Sequence, residues 1–151
     1  MVPFSIIFVG EFCVTIYTQD SKLWNSGTDS NPVKTENDPC PEGWRVPTYA
    51  ELDELNNNYS SWTTDDNGRS GRWFSGQGSY TASVPQVFFP AAGHHSCLTV
   101  SASNRGFNGS YWSSRTTRDY AHSLLFTSSI IGMSNNDRAL GYSVRCVQVT
   151  D

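Results

Sequence analysis

The side chains that could carry out covalent chemistry in this chain include three histidines and Cys97. His94, His95 and Cys97 lie close together, and His122 lies further along the chain. On a strand, His95 and Cys97 would share a face, while His94 would point away from them. Catalysis requires titratable groups held together with perturbed pKa values, and no carboxylate accompanies these residues in sequence. We therefore interpret Cys97 as a loop thiol and predict that the protein is not an enzyme.

The same reading predicts no metal site and no cofactor. Cys13, Cys40, Cys97 and Cys146 have no CxxC spacing, and no histidine pair accompanies them at the spacing of a zinc site. The run Asp65-Asp66-Asn67 lacks the twelve-residue calcium-loop pattern, and a tight turn explains it better. Cys40 and Cys146 lie in DPCPEGW and SVRCVQV, where a core disulfide and two buried thiols are both reasonable.

Length and composition predict one loop-rich domain over residues 1–151. The chain is 37% hydrophobic, 13% aromatic and only 16% charged, with 12 glycines, which favours strands over a helical bundle. Its net charge is -4, and no cluster of Lys and Arg occurs, so nucleic acid is not an expected partner.

The first twenty residues are apolar but do not predict a membrane span. They lack a basic n-region, and Glu11 interrupts the apolar run after about ten residues, well short of the roughly 20 that a spanning helix needs. We expect one or two strands here, over residues 6–9 and 14–17, and neither an export signal nor insertion into a membrane.

One helix is predicted from its N-terminal signal. Thr48 followed by Glu51 forms a capping box, in which each residue bonds the backbone amide of the other. Leu52 and Leu55 then fall on one helical face, and the run 56–58, Asn-Asn-Asn, ends the helix.

Several short strands are predicted from aromatic runs framed by Gly, Pro or Ser. They cover residues 71–75, 87–90 and 111–114, and the alternation over 141–149 suits a final central strand. The intervening coil, residues 91–110, is long for a compact domain, and ordered loops of this length tend to be functional.

The run from Tyr120 to Val147 predicts a β-hairpin that turns at residues 128–129. Leu124 and Phe126 would then face the core together with Ile131 and Met133. The opposite face mixes hydroxyl, aliphatic and bare-backbone positions, which indicates a surface meant for contact if it is exposed. Burial of both faces, as in a sandwich, is the alternative.

Five motifs carry a family resemblance. DPCPEGWRVPTYAEL, GRWFSG, VFFPAAG, GSYWSS and RALGYSVRCV occur in this order between about residues 23 and 147. Together they resemble the Fibrobacter succinogenes major paralogous domain, a bacterial relative of the C-type lectins. Within that group the chain is most similar to the variable proteins of diversity-generating retroelements in gut phages and bacteria. The resemblance does not include residues 1–20.

The resemblance implies an α+β, C-type lectin-like fold with short antiparallel strands, one or two helices and long loops. It also implies a ligand- or receptor-binding protein, with a variable region over residues 93–147 in which adenine-specific mutagenesis changes exposed positions. The implied variable positions are His95, Ser96, Cys97, Thr99, Phe107, Ser110, Arg115, Thr116, Arg118, Asp119, His122, Ser123, Leu125, Thr127, Ile130, Gly132, Ser134 and Leu140.

A constant scaffold would hold these positions in place. Its expected members are Trp44, Trp73, Trp112, Leu124, Phe126, Met133, Cys40 and Cys146. The implied partner is a protein or glycan on a cell surface, and the implied location is a virion, a bacterial surface or the secreted fraction. Phe107, Arg115, Arg118, Asp119 and Tyr120 are the expected anchors, because aromatic residues and Arg dominate interface energetics.

Two alternatives accompany this interpretation. The calcium-dependent sugar motifs of C-type lectins, EPN or QPD with WND, do not occur in the chain, so a constant adhesin would bind polysaccharide by aromatic stacking. Trp62, Trp73 and Trp112 are candidates for that role, although we expect the last two in the core. A relative of the formylglycine-generating enzymes, which share the broader fold, is the other alternative, and His95 with Cys97 would be its only reactive pair.

Overall fold

A computed structural model describes residues 20–64, 68–75, 85–96 and 102–149. In chain order, the elements are β1 (Trp44–Arg45), α1 (Tyr49–Asn57), β2 (Tyr59–Thr64), β3 (Ser70–Ser75), β4 (Gln86–Pro90), β5 (His94–His95), β6 (Ala102–Ser103), β7 (Gly109–Thr117), β8 (Tyr120–Phe126), β9 (Ile131–Asp137) and β10 (Val147–Gln148). The expected N-terminal strands, the Asp65–Asn67 turn and the interpretations of Cys13, Cys97 and Thr99 lie outside the described residues.

The predicted α+β, C-type lectin-like architecture is wrong. The described residues form ten strands in four small antiparallel sheets, with the orders β1-β10, β2-β3-β4, β5-β6 and β7-β8-β9, and a single nine-residue helix. The chain is therefore mostly β. The sequence offers one amphipathic helical segment, whereas its Ser-, Thr- and aromatic-rich runs are short and bounded by turn residues, which favours small sheets.

The capping box and the bounds of helix α1 are confirmed. Glu51 N–H donates to Thr48 Oγ1 at 3.3 Å, and Thr48 N–H donates to a Glu51 carboxylate oxygen at 2.8 Å. Arg45 clamps the same carboxylate with two hydrogen bonds of 2.7 and 2.6 Å. The helix ends at Asn57, within the predicted Asn run, and buries Leu52.

The core lies where α1 and two of the sheets meet. The predicted aromatic strands are confirmed as β3 and β4, and they contribute Phe74 and Phe89. These rings pack edge to face at 5.2 Å, and Phe74 makes a similar contact with Phe126 of β8 at 5.9 Å. Leu52, Tyr111 and Leu124 complete the buried cluster. Burial of each large side chain stabilises the fold by about 1.5–3 kcal/mol.

The predicted hairpin is confirmed as β8 and β9, turning at Ser128 and Ser129. Leu124 lies opposite Met133, and Phe126 lies opposite Ile131, with Leu124 and Phe126 fully buried as expected. The opposite face is closed at Ser123, which is 0% exposed, but it is open at Gly132, where an added Cβ would meet nothing within 4 Å. Each of the two alternatives for this face therefore describes part of it.

The expected final central strand over residues 141–149 is wrong. Only Val147–Gln148 form a strand, paired with β1 in a two-stranded sheet. Ser143 instead runs beside the outer edge of β7, where its N–H donates to Ser110 O and its carbonyl accepts from Trp112 N–H, both at 2.9 Å. Alternation of apolar residues identifies an extended segment but not its partner, which depends on contacts distant in sequence.

A disulfide ties the C-terminal segment to the segment that precedes β1. Cys40 and Cys146 are bonded, with their Cα atoms 5.8 Å apart across a sequence separation of 106. Asp38 holds the backbone on both sides of β1 in place next to the disulfide. Its carboxylate accepts hydrogen bonds from the N–H groups of Cys40 at 2.8 Å and Val46 at 2.9 Å and from Lys34 Nζ at 2.8 Å.

Candidate binding surface

A bulge in β7 directs one of the expected binding residues, Arg115, toward the helix. Trp112 pairs with Ser123, and Thr116 pairs with Ala121. Between these two pairs β7 advances by four residues, whereas β8 advances by two. The extra residues are held by Ser113, whose hydroxyl donates to the carbonyl of His122 at 2.9 Å and accepts from Arg115 N–H at 3.3 Å. Bulges of this kind re-aim side chains at the ends of sheets.

The bulge is also fastened to the residues that precede α1. Ser114 N–H donates to the carbonyl of Pro47 at 2.7 Å. Pro47 directly precedes the N-cap Thr48, and both are fully buried. The position of Arg115 thus depends on the same capping structure that starts the helix.

The Arg115 side chain lies between an aromatic ring and a carboxylate. Its guanidinium carbon is 5.1 Å from the centroid of Tyr49, and Nη1 is 3.3 Å from a carboxylate oxygen of Asp29. The side chain is 49% exposed, so the ion pair contributes no more than about 1 kcal/mol to stability. Arg115 therefore remains accessible while its orientation is restricted.

His122 also contacts Tyr49. The two rings meet edge to face at 5.1 Å, and Nε2 is 2.9 Å from the hydroxyl of Thr117. Desolvation by burial lowers the pKa of His122, the positive charge of Arg115 lowers it further, and Asp29 opposes the shift. The ring is consequently neutral at neutral pH, with one nitrogen bonded to Thr117.

Arg115, Tyr49 and His122 line two open grooves. The helix-side groove, of about 330 Å³, is lined by Tyr49, His122, Met133, Ser134 and Asn135. The loop-side groove, of about 520 Å³, is lined mainly by hydroxyl, amide and charged groups and includes Ser114, Arg115, Thr116 and residues of the segment 21–30. Thr116 Oγ1 ties that segment to β7 by donating to the carbonyl of Ser21 at 2.8 Å.

Four of the expected binding residues line these grooves: Arg115, Thr116, His122 and Ser134. Tyr49, Asp29 and Asn135 also belong to the site, and the sequence reasoning missed them. Tyr49 follows the N-cap Thr48, so its place in the first helical turn was predictable, but its contact with β7 and β8 was not. Asp29 lies in a polar loop that carried no signal of its own.

Other expected binding residues lie at the opposite end of the sheet. Thr127 and Ile130 form the β8–β9 turn, and Ile130 is 67% exposed. Strand β8 separates this turn from the β7–β8 turn by six residue steps, about 20 Å at roughly 3.3 Å per residue. Leu125 and Gly132 are cross-strand partners on the sheet face opposite His122. The expected residues thus do not gather into one patch.

The remaining expected positions are dispersed. Arg118 and Asp119 are exposed in the β7–β8 turn, and Phe107 is 73% exposed in the turn before β7. His95 is held to Gly141 by backbone hydrogen bonds of 2.9 and 2.8 Å, with Ser96 following it. Leu140 is half-buried after β9.

Two expected binding residues, Ser110 and Ser123, are buried, and their assignment to a contact surface is wrong. Ser110 is 3% exposed, and its carbonyl accepts from Ser143 because the C-terminal segment covers the edge of β7. Ser123 is 0% exposed in the central strand, and its hydroxyl accepts from Asn136 Nδ2 at 2.9 Å.

Four of the eight expected scaffold residues are buried, namely Cys40, Trp112, Leu124 and Phe126. Trp112 is buried and stacks on Tyr142 at 4.3 Å, and Met133 packs against the core. Trp73 is half-buried against Phe88, whereas Trp44 is 41% exposed because it belongs to the small β1-β10 sheet outside the core. Burial also removes Trp112 as a platform for stacking on a sugar.

Within the described ranges, no three His, Cys, Asp or Glu side chains are grouped so as to hold a metal ion. Over the same ranges, no helix combines the length and the apolar character that crossing a bilayer requires.

A comparison with protein families matches residues 57–147 to the model described as Domain of unknown function (DUF8237). The matched range begins at the end of α1 and includes β7, β8 and β9, which contribute to both grooves. No curated protein and no solved structure matches the chain.

Proposed function

We propose that this chain, which belongs to the family described as Domain of unknown function (DUF8237), is a binding protein that presents exchangeable side chains on its β7-β8-β9 sheet. The observation that carries the proposal is the separation of the groove side chains from the contacts that hold their backbone. Arg115, Thr116 and His122 point into the grooves. Ser113, Ser114 and Pro47 hold the strand beneath them through hydrogen bonds.

This separation is what a surface that must sample ligands requires. A side chain whose atoms contribute little to the core can be replaced with a change in contacts and little change in the fold. The contacts that fix the bulge are made by backbone groups and by the side chain of Ser113, so they do not depend on the identity of the variable side chains. Leu124 and Phe126 hold β8 from below in the same way.

The ligand is a protein or a glycan of a cell surface. The grooves are open and rich in hydroxyl and amide groups, with Arg115 as a half-exposed cation and Tyr49 as an aromatic wall. Such a mixture suits polar ligands that are read by hydrogen bonds and by aromatic contact. Diversification by a retroelement is part of the proposal on the strength of the five sequence motifs.

The diversification is tested in the DNA that neighbours the coding region. We expect a reverse transcriptase gene and a near-copy of the segment coding for residues 93–147 that differs at adenines. Related copies of the protein should then differ at the codons for Arg115, Thr116, His122 and Ser134 and agree at those for Leu124 and Phe126. Differences spread equally over core and groove codons, or the absence of the near-copy, contradict diversification and leave a constant binding protein.

The binding site is tested with a variant in which Arg115, Thr116, His122 and Ser134 are all replaced by Ala. We expect loss of binding on arrays of glycans and of bacterial surface proteins, measured in chelator. The fold should be retained, because the four substitutions leave the buried core and the hydrogen bonds of Ser113, Ser114 and Pro47 in place.

The matched control replaces Arg118, Asp119, Thr127 and Ile130, which lie outside the grooves, by Ala. This control should keep the array profile of the wild type. Equal loss in both variants places the ligand elsewhere on the sheet, and an unchanged profile in the groove variant contradicts the assignment of the site.

A further inference from the structure

The two outer edges of the β7-β8-β9 sheet differ. The edge of β7 is covered, because Ser143 exchanges backbone hydrogen bonds with Ser110 and Trp112 there. Over residues 20–64, 68–75, 85–96 and 102–149, no strand pairs with the outer edge of β9. An uncovered edge presents a row of backbone donors and acceptors to any extended chain that approaches it.

The register of the hairpin identifies which groups form this row. Thr127 N–H donates to Ile130 O at 2.9 Å, so the pair 127–130 is hydrogen-bonded across the turn. Bonded and non-bonded pairs alternate in an antiparallel ladder, so Gly132 and Ser134 bond to β8. Ile131, Met133 and Asn135, which lie between them, direct their N–H and C=O groups away from β8.

The row ends at a defined point. Asp137 also lies in the outward-facing set, but its carbonyl accepts from Leu140 N–H at 3.0 Å in the turn that follows β9. The free length is therefore about five residues, from Ile131 to Asn135, which corresponds to roughly 15 Å of extended chain. That length suits a peptide of five or six residues.

The helix-side groove adjoins this edge and supplies a pocket for a side chain. Met133 and Asn135 line the groove and also belong to the outward-facing row, and Tyr49 of α1 lines the same groove. A groove between a helix and an exposed strand edge combines main-chain hydrogen bonding with side-chain selection, as in known peptide-binding domains that add a strand.

Two carboxylates lie near this edge, whereas the neighbouring cations Arg115 and Arg138 are engaged by other groups, the Asp29 carboxylate and the carbonyl oxygens of Tyr120 and Asp20. Asp137 is exposed at the end of β9, and Asp53 lies one turn beyond Tyr49 on α1, on the same side of the helix. Among the described residues, neither carboxylate forms an ion pair. The net charge of the chain is -4, which adds attraction for a cationic segment.

We infer that β9 binds an extended, basic peptide segment of a partner protein as a fourth strand of the β7-β8-β9 sheet. The peptide backbone pairs with Ile131, Met133 and Asn135, and one uncharged side chain enters the helix-side groove. Lys or Arg residues on either side of it face Asp53 and Asp137. This inference rests on the proposed function, because it names the class of partner that the helix-side groove receives.

The first test is selection from a phage-displayed library of random linear octapeptides, followed by synthesis of the selected peptides with single N-methyl groups. Strand addition predicts that methylation at alternate residues weakens binding at least tenfold, while methylation at the intervening residues does not. Equal effects at all positions, or failure to enrich any peptide that carries Lys or Arg, overturns the inference.

The second test compares the variants Asn135→Pro and Asn135→Ala. Both lose the amide side chain, but only the first loses the outward N–H, and proline is tolerated on an edge strand at such a position. We expect Asn135→Pro to bind the selected peptide at least tenfold more weakly than Asn135→Ala. Equal affinities contradict pairing with β9.

Amide hydrogen exchange on the wild-type protein decides the matter if the proline variant does not fold. The peptide should protect the amides of Ile131, Met133 and Asn135, whereas those of Gly132 and Ser134 are protected without it. Peptide binding that protects none of the three overturns strand addition. If strand addition is overturned in this way but ligand binding is still lost on replacing Arg115, Thr116, His122 and Ser134, the proposed function stands without strand addition.

Discussion

At the scale of single residues, His122 shows how much of the surface depends on neighbours that are distant in sequence. Burial depresses its pKa, Arg115 contributes to the depression, and Asp29 counteracts it. The type and strand position of His122 were readable from the sequence, since it follows Ala121 in a predicted strand. Its contact with Tyr49 was not, because the two residues are brought together only by the packing of α1 on β8.

We predict that Arg115→Ala raises the pKa of His122 toward its ordinary value of 6.5, because it removes a nearby positive charge. The imidazole resonances followed by NMR as a function of pH measure the change, and Arg118→Ala is the matched control. A lower pKa in Arg115→Ala would contradict the arrangement. Since the folded pKa lies below the unfolded one, stability from neutral His122 is complete above about pH 6.5 and is lost as the pH falls through the folded pKa.

At the scale of elements, local signals were sufficient for α1 and for the β8–β9 hairpin. The capping box at Thr48 and the turn at Ser128-Ser129 are each encoded within a few residues, and both are confirmed. The bulge in β7 was not predictable, because it depends on Pro47, which lies more than sixty residues earlier in the chain. Arg72 illustrates the same limit, since it donates to the carbonyls of Thr127 and Ser128 from β3.

The capping box carries a prediction about acid stability. Burial disfavours ionisation of Glu51, but hydrogen bonds from Arg45 and Thr48 outweigh it and hold the pKa of the carboxyl below its ordinary value of 4.5. A depressed carboxyl pKa adds stability that is complete above the unfolded pKa and is lost as the pH falls through the folded pKa. We therefore expect the unfolding free energy of the wild type to fall below about pH 4.5 more steeply than that of Glu51→Gln.

Denaturant unfolding between pH 3 and pH 6 measures this difference. The variant Glu54→Gln, on an exposed position of the same helix, is the matched control and should follow the wild-type profile. Parallel profiles for the wild type and Glu51→Gln would show that the carboxylate does not stabilise the start of α1.

At the scale of the whole molecule, most of the described strands pair with their neighbours in sequence, and the β1-β10 pair joins distant segments. The spacing of hydrophobic residues and the turn residues predicted the strands themselves, such as β3 and β4. The prediction of an α+β, C-type lectin-like fold was wrong. Residues 141–149 show the reason, since their extended character was clear while their partners, β1 and the edge of β7, lie about one hundred and about thirty residues away in sequence, respectively. For Cys40 and Cys146 the sequence left two alternatives open, a disulfide and two buried thiols, and the structure shows the disulfide.

The disulfide closes the longest of these connections. Its sequence separation is 106, and removal of a bond that closes a loop of this size costs about 2–5 kcal/mol. We expect the double variant Cys40→Ala/Cys146→Ala to lose that amount of unfolding free energy, measured by denaturant titration. A single replacement of the exposed Trp44 by Ala, in the adjoining sheet, should cost much less, and an equal cost would contradict the role of the bond.

Gly132 has one more consequence. A side chain added there would enter open solvent, and glycine within a strand weakens it by roughly 0.5–1 kcal/mol relative to other residues. Most replacements at this position are therefore sterically free and energetically favourable. A stabilising substitution at Gly132 would therefore compensate for a destabilising mutation elsewhere in the molecule.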